Sequence, residues 1–381
     1  MPPIEGQPES ARDIARLRLA HQGVATAPYA SLEEVVGALG AMQAQEYAFA
    51  KWSIAQRTTG VADADVERAV AEGRILRTHL LRPTWHFVLP ADIRWLVDLT
   101  APRIRASSAY RYGQLELDDA TLSRSVDLIV AALSGGRHRT RREIAALLNE
   151  AGISTAGQRM PYILAHAELA GLICSGAPRG KEQTYALLAE RAPDARTMPR
   201  EEALTELTRR YLATRGPATV KDYMAWSSLT AADARAGIAL LGAEAESFTL
   251  GGREYWWMGG ASPPAEDSPA AHLLQTYDEF FSGYRESKDV VDVDGRLRAL
   301  GDIGYYHAVV IDGQVIGRWR RTLRARGVEV EVSPLRPLEA AEERGWRRRW
   351  GALGSSWACP PPGGWRASDG SAGWSIHSRL R

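Results

Sequence analysis

The stretch Met42-Gln43-Ala44-Gln45-Glu46 (MQAQE) joins two apolar-periodic runs, one over residues 32–39 and one over residues 49–54. In an α-helix, positions i and i+2 are about 200° apart, whereas in an extended segment they face the same side. If the connector is extended, Gln43 and Gln45 can converge on one object, each with a carbonyl acceptor and an NH₂ donor. The alternative is that both glutamines are ordinary surface residues that end one helix and begin the next.

A second stretch, residues 76–88 (LRTHLLRPTWHFV), indicates two short strands that turn near Arg82 and Pro83. Helices followed by a two-stranded ribbon are typical of a winged helix-turn-helix. In that arrangement Thr84 and His86 share one face of their strand and lie within reach of the two glutamines. We therefore expect Arg82, Thr84 and His86 to line a site there. The alternative for His86 is a hydrogen-bonded structural role, which is the commoner one for a lone histidine on a strand.

The order of helices followed by a ribbon recurs twice further along the chain. Residues 140–150 (TRREIAALLNE) and 157–172 predict helices, and residues 173–188 (ICSGAPRGKEQTYALL) predict the ribbon after them. A third copy begins near Arg200 and ends with SFTLGGREYWWM at residues 247–258. We predict a mainly α chain with β structure (α+β) that carries three tandem winged helix-turn-helix motifs. Their ranges are residues 10–115, 116–195 and 196–260.

The C-terminal part of the sequence changes to a period of two after a linker rich in Gly, Pro and Ser at residues 259–270. Asp312-Gly313 between two apolar runs is a strong signal of a tight hairpin turn. Residues 270–352 therefore predict a small β-barrel, or a curled sheet closed by a helix. The tail at residues 353–381 is rich in Gly, Pro, Ser and Trp, which predicts a mostly disordered chain.

The composition is that of an ordinary soluble globular protein, with 381 residues, 45% hydrophobic residues and a net charge of +1. We expect a cytoplasmic protein that does not enter a membrane, because no stretch resembles a membrane span and the first residues lack a signal peptide pattern. The two cysteines, Cys174 and Cys359, fit a reducing compartment. Neither lies in a metal-ligand pattern, so we expect no metal and no cofactor.

Arginine supplies most of the positive charge, since the chain has four lysines among its 47 basic residues and the other 43 are arginines. The planar guanidinium suits phosphate oxygens and base edges. Basic clusters at residues 137–142, 318–326 and 344–349 are balanced by acidic runs at 116–119 and 339–343. This segregation permits binding to nucleic acid without requiring it, since solvated helix faces give the same clusters. The arginines that we expect to contact DNA are Arg77, Arg139, Arg141, Arg159, Arg179, Arg320 and Arg321.

The chemistry that two glutamines can support is limited. The sequence has no Gly-rich phosphate loop, HExxH, GxSxG or CxxC motif. An amide is not a general base near neutral pH, but two amides can orient a water and place carbonyl dipoles near developing positive charge. Such chemistry suffices only when the leaving group is already activated. A cationic N7- or N3-alkylated purine on deoxyribose is such a group, because it departs as a neutral base.

The chain resembles the bacterial winged-helix DNA glycosylase family of the AlkZ type, over about residues 10–350. The matching strings are QAQ at 43–45, RTHLLRPTWHFVLP at 77–90, RWLVDLTAPR at 94–103, HAELAGLICSG at 166–176, EALTELTRRYLATRGPATVKDYMAWSSL at 202–229, YDEFFSGYRES at 277–287 and GQVIGRWRR at 313–321. The resemblance implies three tandem winged helices plus a C-terminal β-barrel, and excision of N-alkylated purines, including those in interstrand crosslinks. It also implies that Gln43 and Gln45 are the catalytic pair, with Ala44 as spacer. With glutamine at position 45, the motif resembles the form found in the antibiotic self-resistance branch of the family. Residues 225–229 and the tail after about residue 350 depart from the family pattern.

The expected function is that of a monofunctional DNA glycosylase. It would act as a monomer on double-stranded DNA and hydrolyse the N-glycosidic bond of cationic N7- or N3-alkylated purines, with bulky natural-product adducts and crosslinks among its substrates. The first alternative is a non-enzymatic winged-helix regulator in which Gln43 and Gln45 cap helices or touch bases. The second is a bifunctional glycosylase and lyase with an amine nucleophile. The scarcity of lysine disfavours the second, since only Lys51 lies near the proposed site in the sequence.

Overall fold

The computed structural model describes residues 7–259, 270–298, 307–324, 327–353, 366–367 and 374–377. Helices dominate the first two thirds of the chain, and a large antiparallel sheet dominates the last third. The predicted mixture of α and β structure is therefore confirmed. Among the described helices, none combines the length and the apolar character that crossing a membrane would require.

The first unit is helical and ends in a small antiparallel sheet. Its helices are α1 (Ala11–His21), α2 (Leu32–Leu39), α3 (Tyr47–Ala55), α4 (Asp63–Glu72) and α5 (Ile93–Gln114). Its strands are β1 (Met42–Gln43), β2 (Leu76–Leu80) and β3 (Thr84–Val88), in the order β1-β3-β2. Ser10 and Ser31 cap α1 and α2, since each side chain accepts a hydrogen bond from the backbone N–H three residues further on. Apolar residues from α2, α3, α4 and the sheet form one buried core.

The second and third units repeat the order of helices followed by paired strands. The second contains α6 (Asp119–Leu133), β4 (Arg139–Thr140), α7 (Arg141–Glu150), α8 (Arg159–Leu169), β5 (Ile173–Ser175), β6 (Thr184–Leu187) and α9 (Leu188–Arg191). The third contains α10 (Arg200–Arg215), α11 (Val220–Ser227), α12 (Ala231–Leu241), β7 (Glu246–Leu250) and β8 (Arg253–Trp257). Thr140 and Glu143 form a capping box at the start of α7, which is why that helix begins where it does.

The C-terminal part is built around one antiparallel sheet with a helix against it. Its elements are β9 (Ala271–Leu274), α13 (Glu279–Ser282), β10 (Ala308–Ile311), β11 (Gln314–Arg324), β12 (Gly327–Pro334), α14 (Ala340–Leu353), β13 (Arg366–Ala367) and β14 (Trp374–His377). The strand order is β13-β14-β12-β11-β10-β9, and Trp346 of α14 packs with Trp319 and Ile316 of β11.

This sheet corrects part of the expectation for residues 270–352. Within the described ranges its strand order has two different ends, so the strands do not close into a barrel. A sheet covered by a helix, the second form that the sequence predicted, describes these residues better. The predicted disordered tail, residues 353–381, lies mainly outside the described residues. Its described part contributes β13 and β14, which extend the sheet beyond β12.

The apolar face of helix α1 does not join the core of the first unit, residues 10–115, in which its place in the sequence put it. Its apolar residues Ile14 and Leu17 are buried in a core with Trp257 of β8, Phe280 of α13 and Val310 of β10. Amphipathic spacing shows that a helix has a buried face but not which part of the chain covers that face. The N-terminal helix therefore joins the third unit to the C-terminal sheet.

The predicted Asp312-Gly313 hairpin turn is confirmed, since both residues have positive φ and Ile311 pairs with Gln314. Gly313 also allows α1 to approach: a Cβ there would lie 2.7 Å from the Cβ of Ala15. The Arg16 guanidinium holds the same contact by donating to the Asp312 carboxylate at 2.6 Å.

We expect Gly313→Ala to be more destabilising than Gly252→Ala. Both glycines hold the second position of a two-residue hairpin turn, with φ of +73° and +76°, so both replacements carry a similar left-handed backbone cost of about 1–2 kcal/mol. A Cβ on Gly252 meets no atom of the described residues within 4 Å, whereas one on Gly313 would push α1 away. The free energies of unfolding of the two variants, measured by urea denaturation, should differ by about 1–3 kcal/mol. Equal losses would contradict the close contact with α1.

Candidate active site

Strand β1 places the two glutamines beside the β2–β3 hairpin. Met42 pairs with Phe87 and Gln43 with His86, and the N–H of Ala44 donates to the carbonyl of Trp85 at 2.7 Å. The connector is therefore extended at Met42 and Gln43, as one of the two expectations required. The paired strands also confirm that the hairpin lies next to the glutamines.

One face of this sheet carries a row of polar side chains. Thr78 is opposite His86 on the neighbouring strand, and His86 is opposite Gln43, so their side chains project from the same face. Thr84 lies two residues before His86 and shares that face as well. We call Thr78, Thr84, His86 and Gln43 the polar row.

Gln43 is held in a fixed orientation by Arg82. Nη2 of Arg82 donates to Oε1 of Gln43 at 2.8 Å, while Nη1 of the same guanidinium donates to the carbonyl of Ser282 at 2.6 Å. Gln43 is only 7% exposed. Because the charged donor occupies its carbonyl, the amide NH₂ group of Gln43 must point away from Arg82.

Gln45 is less constrained. Its Oε1 accepts a hydrogen bond from the backbone N–H of Trp85 at the long distance of 3.5 Å, and its side chain is half-buried. The two glutamines therefore have different freedom, since Gln43 is locked while Gln45 can adjust to a bound molecule.

His86 is fully buried and neutral. Its Nδ1 lies 2.9 Å from the carbonyl of Thr84. Burial lowers the pKa of His86 well below its usual value, and the nearby Arg82 guanidinium lowers it further. A carbonyl only accepts, so Nδ1 carries the proton and Nε2 keeps a free lone pair. The structure thus places Arg82, Thr84 and His86 next to Gln43, where the sequence predicted them.

A buried ion pair fixes the backbone of β1 from behind. The Glu279 carboxylate accepts the N–H of Gln43 at 2.7 Å through Oε1 and two nitrogens of Arg215 at 2.7 and 3.0 Å through Oε2. Arg215 also donates to the carbonyls of Leu39 and Ala41, at 3.0 and 2.9 Å. The ion pair thereby binds backbone groups of three alternate residues, Leu39, Ala41 and Gln43, between the end of α2 and β1.

The segment around Glu279 is itself anchored by further buried polar groups. Asp278 pairs with Arg57 at 2.7 Å, and both side chains are fully buried. Burial alone would raise the pKa of Asp278, but the Arg57 guanidinium outweighs this effect and holds that pKa below its usual value. Tyr211 donates to the carbonyl of Gly283 at 2.9 Å. Residues 278–283 are thus held rigidly against the first and third units.

Sequence reasoning did not assign roles to Glu279, Arg215, Asp278 or Arg57. For Arg215, Asp278 and Glu279 the only signal was the resemblance of residues 202–229 and 277–287 to family strings, and Arg57 lies outside the matching strings. Arg215 is the last residue of α10, and the sequence around it does not distinguish it from an arginine exposed to solvent. The same holds for the carboxylates of Asp278 and Glu279.

The opposite face of the sheet holds two cations, Arg77 and Lys51, which both lie over the ring of Tyr47. Arg77 is buried, donates to the carbonyl of Ala44 at 3.0 Å and stacks over Trp85 at 4.3 Å. The Lys51 ammonium is 5% exposed and is paired with Asp63 and Glu67. Arg77 was predicted to contact DNA; the structure buries its side chain against Trp85 and the backbone of Ala44.

The other arginines predicted to contact DNA fall in three places: Arg139, Arg141 and Arg179 lie near the start of α7, Arg159 lies on α8, and Arg320 and Arg321 lie on β11. Arg141 is exposed and Arg139 is half-buried at the start of α7, while Arg179 pairs with Glu143 and Arg159 donates to the carbonyls of Leu115 and Glu116. On β11, Arg320 is 76% exposed and pairs with Glu331, whereas Arg321 is half-buried over the ring of Phe49. Arg141, Arg179 and Arg320 are the exposed members of this set.

The side chains of the candidate site can orient a small polar molecule. Within the described ranges, the His, Cys, Asp and Glu side chains form no group of three or more with the geometry of a metal site. The polar row offers amide, hydroxyl and neutral imidazole groups. These groups position water and dipoles and carry no nucleophilic amine or thiol.

Comparisons with known proteins agree on one family. A family model described as "DNA glycosylase AlkZ-like" matches residues 36–355. The chain is 26% identical over 326 residues to the "Interstrand DNA cross-link repair glycosylase" of Streptomyces sahachiroi, a match that covers 81% of this chain and 87% of that protein. The structure of this chain is similar to that of Streptomyces sahachiroi DNA glycosylase AlkZ, with a TM-score of 0.71 at 21% identity, over 91% of this chain and 96% of the other. The structural likeness shows a shared fold.

We expect Glu279→Gln to lower the free energy of unfolding by about 3–5 kcal/mol, because it leaves the buried Arg215 without a counter-charge. Glu286→Gln is the matched control, since Glu286 pairs with the exposed Lys221 and its loss should change that free energy by less than about 1 kcal/mol. Urea denaturation of both variants provides the comparison. If Glu279→Gln were as stable as Glu286→Gln, the ion pair would not hold β1 in place.

Proposed function

The chain belongs to the AlkZ-like DNA glycosylase family, as its motifs predicted, and from this premise we propose that it is a monofunctional DNA glycosylase. Its reaction is the hydrolysis of the N-glycosidic bond of cationic N7- or N3-alkylated purines in double-stranded DNA. The observation that carries this proposal is the position of Gln43 on the polar row, with Gln45 two residues further along, just beyond the strand, where its Oε1 accepts the N–H of Trp85. No cofactor takes part.

Gln43 and Gln45 are the proposed catalytic residues, and they have different tasks. The carbonyl of Gln43 is occupied by Arg82, so its NH₂ group is the part that faces the reacting molecules. Gln45 has a carbonyl with only one long contact, and we assign it to the attacking water and to the positive charge that develops on the sugar. Ala44 separates them and is buried, which leaves its backbone to hold the strand.

The need for a cationic base follows from the groups that are present. A neutral purine departs only if a proton donor stabilises the electron pair that it takes with it. The polar row contains amides, hydroxyls and a neutral histidine, and none of these is an acid strong enough for that task. A base that is already positive leaves as a neutral molecule, and the site has to stabilise only the sugar cation.

Water is the proposed nucleophile, which makes the enzyme monofunctional. A lyase reaction requires a neutral amine. The one lysine near the motif in sequence, Lys51, forms ion pairs with Asp63 and Glu67 among residues packed away from the polar row. It therefore supports the hydrolytic mechanism over the glycosylase and lyase alternative.

Bulky adducts and interstrand crosslinks are the proposed natural substrates, in the context of antibiotic self-resistance. Two features support this. The relative from Streptomyces sahachiroi is named for crosslink repair, and Gln45 is half-buried at the margin of the site, where a large lesion could be attacked without burying the whole base in a tight pocket.

We further propose that the three units of helices and paired strands act as winged helices on the duplex, and that the protein works as a monomer. Exposed arginines such as Arg141, Arg179 and Arg320 would contact phosphates and make binding depend on salt. A non-enzymatic winged-helix regulator would show the same binding. Release of alkylated base from duplex DNA separates the two functions, because a regulator leaves the glycosidic bond intact.

We expect Gln45→Ala to lower the single-turnover excision rate of N7-alkylguanine by roughly 10²-fold or more, since one preorganised dipole is worth about 3 kcal/mol in such a site. Duplex affinity should stay within a few-fold. Gln45→Asp should retain activity, because the related branch of the family carries Asp there by resemblance. Gln158→Ala, which removes an exposed glutamine outside the polar row, is the control and should excise at the wild-type rate. A Gln45→Ala protein as fast as that control would remove Gln45 from the mechanism.

A panel of duplex oligonucleotides tests the choice of leaving group. N7-alkylguanine and N3-alkyladenine should be released, whereas uracil and 8-oxoguanine should not, because the site has no acid to assist a neutral base. Each reaction is repeated with borohydride, which traps an imine to an amine nucleophile. We expect an intact abasic strand and no trapped complex. Efficient release of a neutral base, or a covalent adduct at Lys51, would overturn this mechanism.

A further inference from the structure

The β2–β3 hairpin contains a cluster of buried polar atoms whose hydrogen-bonding capacity is unused. These atoms are Thr78 Oγ1, Arg82 Nε, Thr84 Oγ1 and His86 Nε2, and none of them has a partner among the described residues. Burying such an atom without a partner costs about 1–3 kcal/mol, so a cluster of four calls for a ligand.

The strand register brings this cluster to the candidate site. Thr78 and His86 are directly opposite each other, and Cβ atoms of such pairs are about 4.5–5.5 Å apart. Thr84 projects from the same face two residues away, and β1 at the sheet edge adds Gln43 to the row. The unpaired atoms therefore lie together, next to the catalytic amide.

The donors and acceptors in the cluster are complementary to a water molecule. Nδ1 of His86 is committed to the carbonyl of Thr84 as a donor, so Nε2 offers a lone pair. A threonine hydroxyl can donate or accept, and Arg82 Nε–H can only donate. A buried water typically makes about three hydrogen bonds to groups of this kind. It would donate to His86 Nε2 and accept from the hydroxyls or from Arg82.

We propose that His86 Nε2, together with the hydroxyls of Thr78 and Thr84, binds the water that attacks the sugar. The inference rests on the proposed function, because it assigns the nucleophile of that reaction to a site. His86 is then a catalytic residue in the strict sense, since it touches a reacting atom, and Thr78 and Thr84 share the water with it.

The water oxygen forms a bond to C1′ of the deoxyribose while the C1′–N9 bond breaks, and its electron pair goes to the cationic purine, which leaves as a neutral base. The proton that the water loses passes to His86 Nε2, whose lone pair already accepts it as a hydrogen bond, and then to solvent. Gln43 and Gln45 orient the sugar and the water on the other side.

Single-turnover excision of N7-alkylguanine by hydroxyl and imidazole variants tests this assignment. Thr78→Val and Thr84→Val preserve side-chain volume and should each slow excision by roughly 10-fold, while His86→Leu should slow it by roughly 10²-fold. His86→Gln keeps an acceptor and should recover part of the rate. Thr205→Val is the control, since the Thr205 hydroxyl only donates within α10, and it should leave the rate unchanged.

A nucleophile competition separates a water-binding role from a structural one. With methanol added, the wild type should form mainly the abasic sugar, because the bound water is favoured over bulk nucleophiles. The valine variants and His86→Gln should form several-fold more methyl glycoside. A merely structural defect lowers the rate without changing that ratio.

The outcomes also separate this inference from the proposed function. If the wild-type protein releases no alkylated base from duplex DNA, the proposed function fails and the water site fails with it. If wild type and Gln45→Ala behave as proposed, but Thr78→Val, Thr84→Val and His86→Gln keep the wild-type rate and the wild-type methanol ratio, only the water site is overturned. Should His86→Leu fail to fold, the two valine variants still decide the question.

Discussion

The buried pair of Arg215 and Glu279 is the interaction on which the rest of the site depends. A two-residue strand such as β1 has too few ladder hydrogen bonds to fix its own position, so its geometry must come from outside the sheet. Glu279 binds the N–H of Gln43, and Arg215 binds the carbonyls of Leu39 and Ala41. The desolvation of two charges is tolerated because the carboxylate and the guanidinium also form hydrogen bonds with these backbone groups, and the carboxylate accepts a further one from Trp226.

The small sheet β1-β3-β2 separates two kinds of chemistry. Its polar row lies on one face, beside the proposed catalytic pair, while Arg77, His79 and Trp85 on the other face hold the sheet to the second unit. His79 is hydrogen-bonded to Glu168 of α8 and packs on Trp85 with ring centroids 4.4 Å apart. Because adjacent residues of a strand alternate between faces, the sequence TWHF serves both tasks at once. The strand thus couples a reactive surface to a rigid support.

Local pattern was sufficient for the parts of the fold that depend on neighbours in sequence. It predicted the hairpin that carries Thr84 and His86, the Asp312-Gly313 turn and the repeated order of helices and ribbons, and it gave the extended connector at Gln43 as one of two alternatives. It failed where the partner is distant. The buried face of α1, the burial of Arg77 and the roles of Arg215 and Glu279 are set by contacts between remote segments, and periodicity does not encode which segments meet.

The hydrogen bond from Gln43 to Glu279 links residues 236 positions apart, and those from Arg215 to Leu39 and Ala41 link residues 176 and 174 positions apart. A ribosome that has synthesised 200 residues has already made both glutamines, but it has made neither member of the ion pair that orients them. The geometry of the candidate site therefore arises only late in synthesis, when residues 278–283 leave the exit tunnel and dock. A nascent or prematurely ended chain can carry the motif and the first two units and still lack the ion pair that positions Gln43.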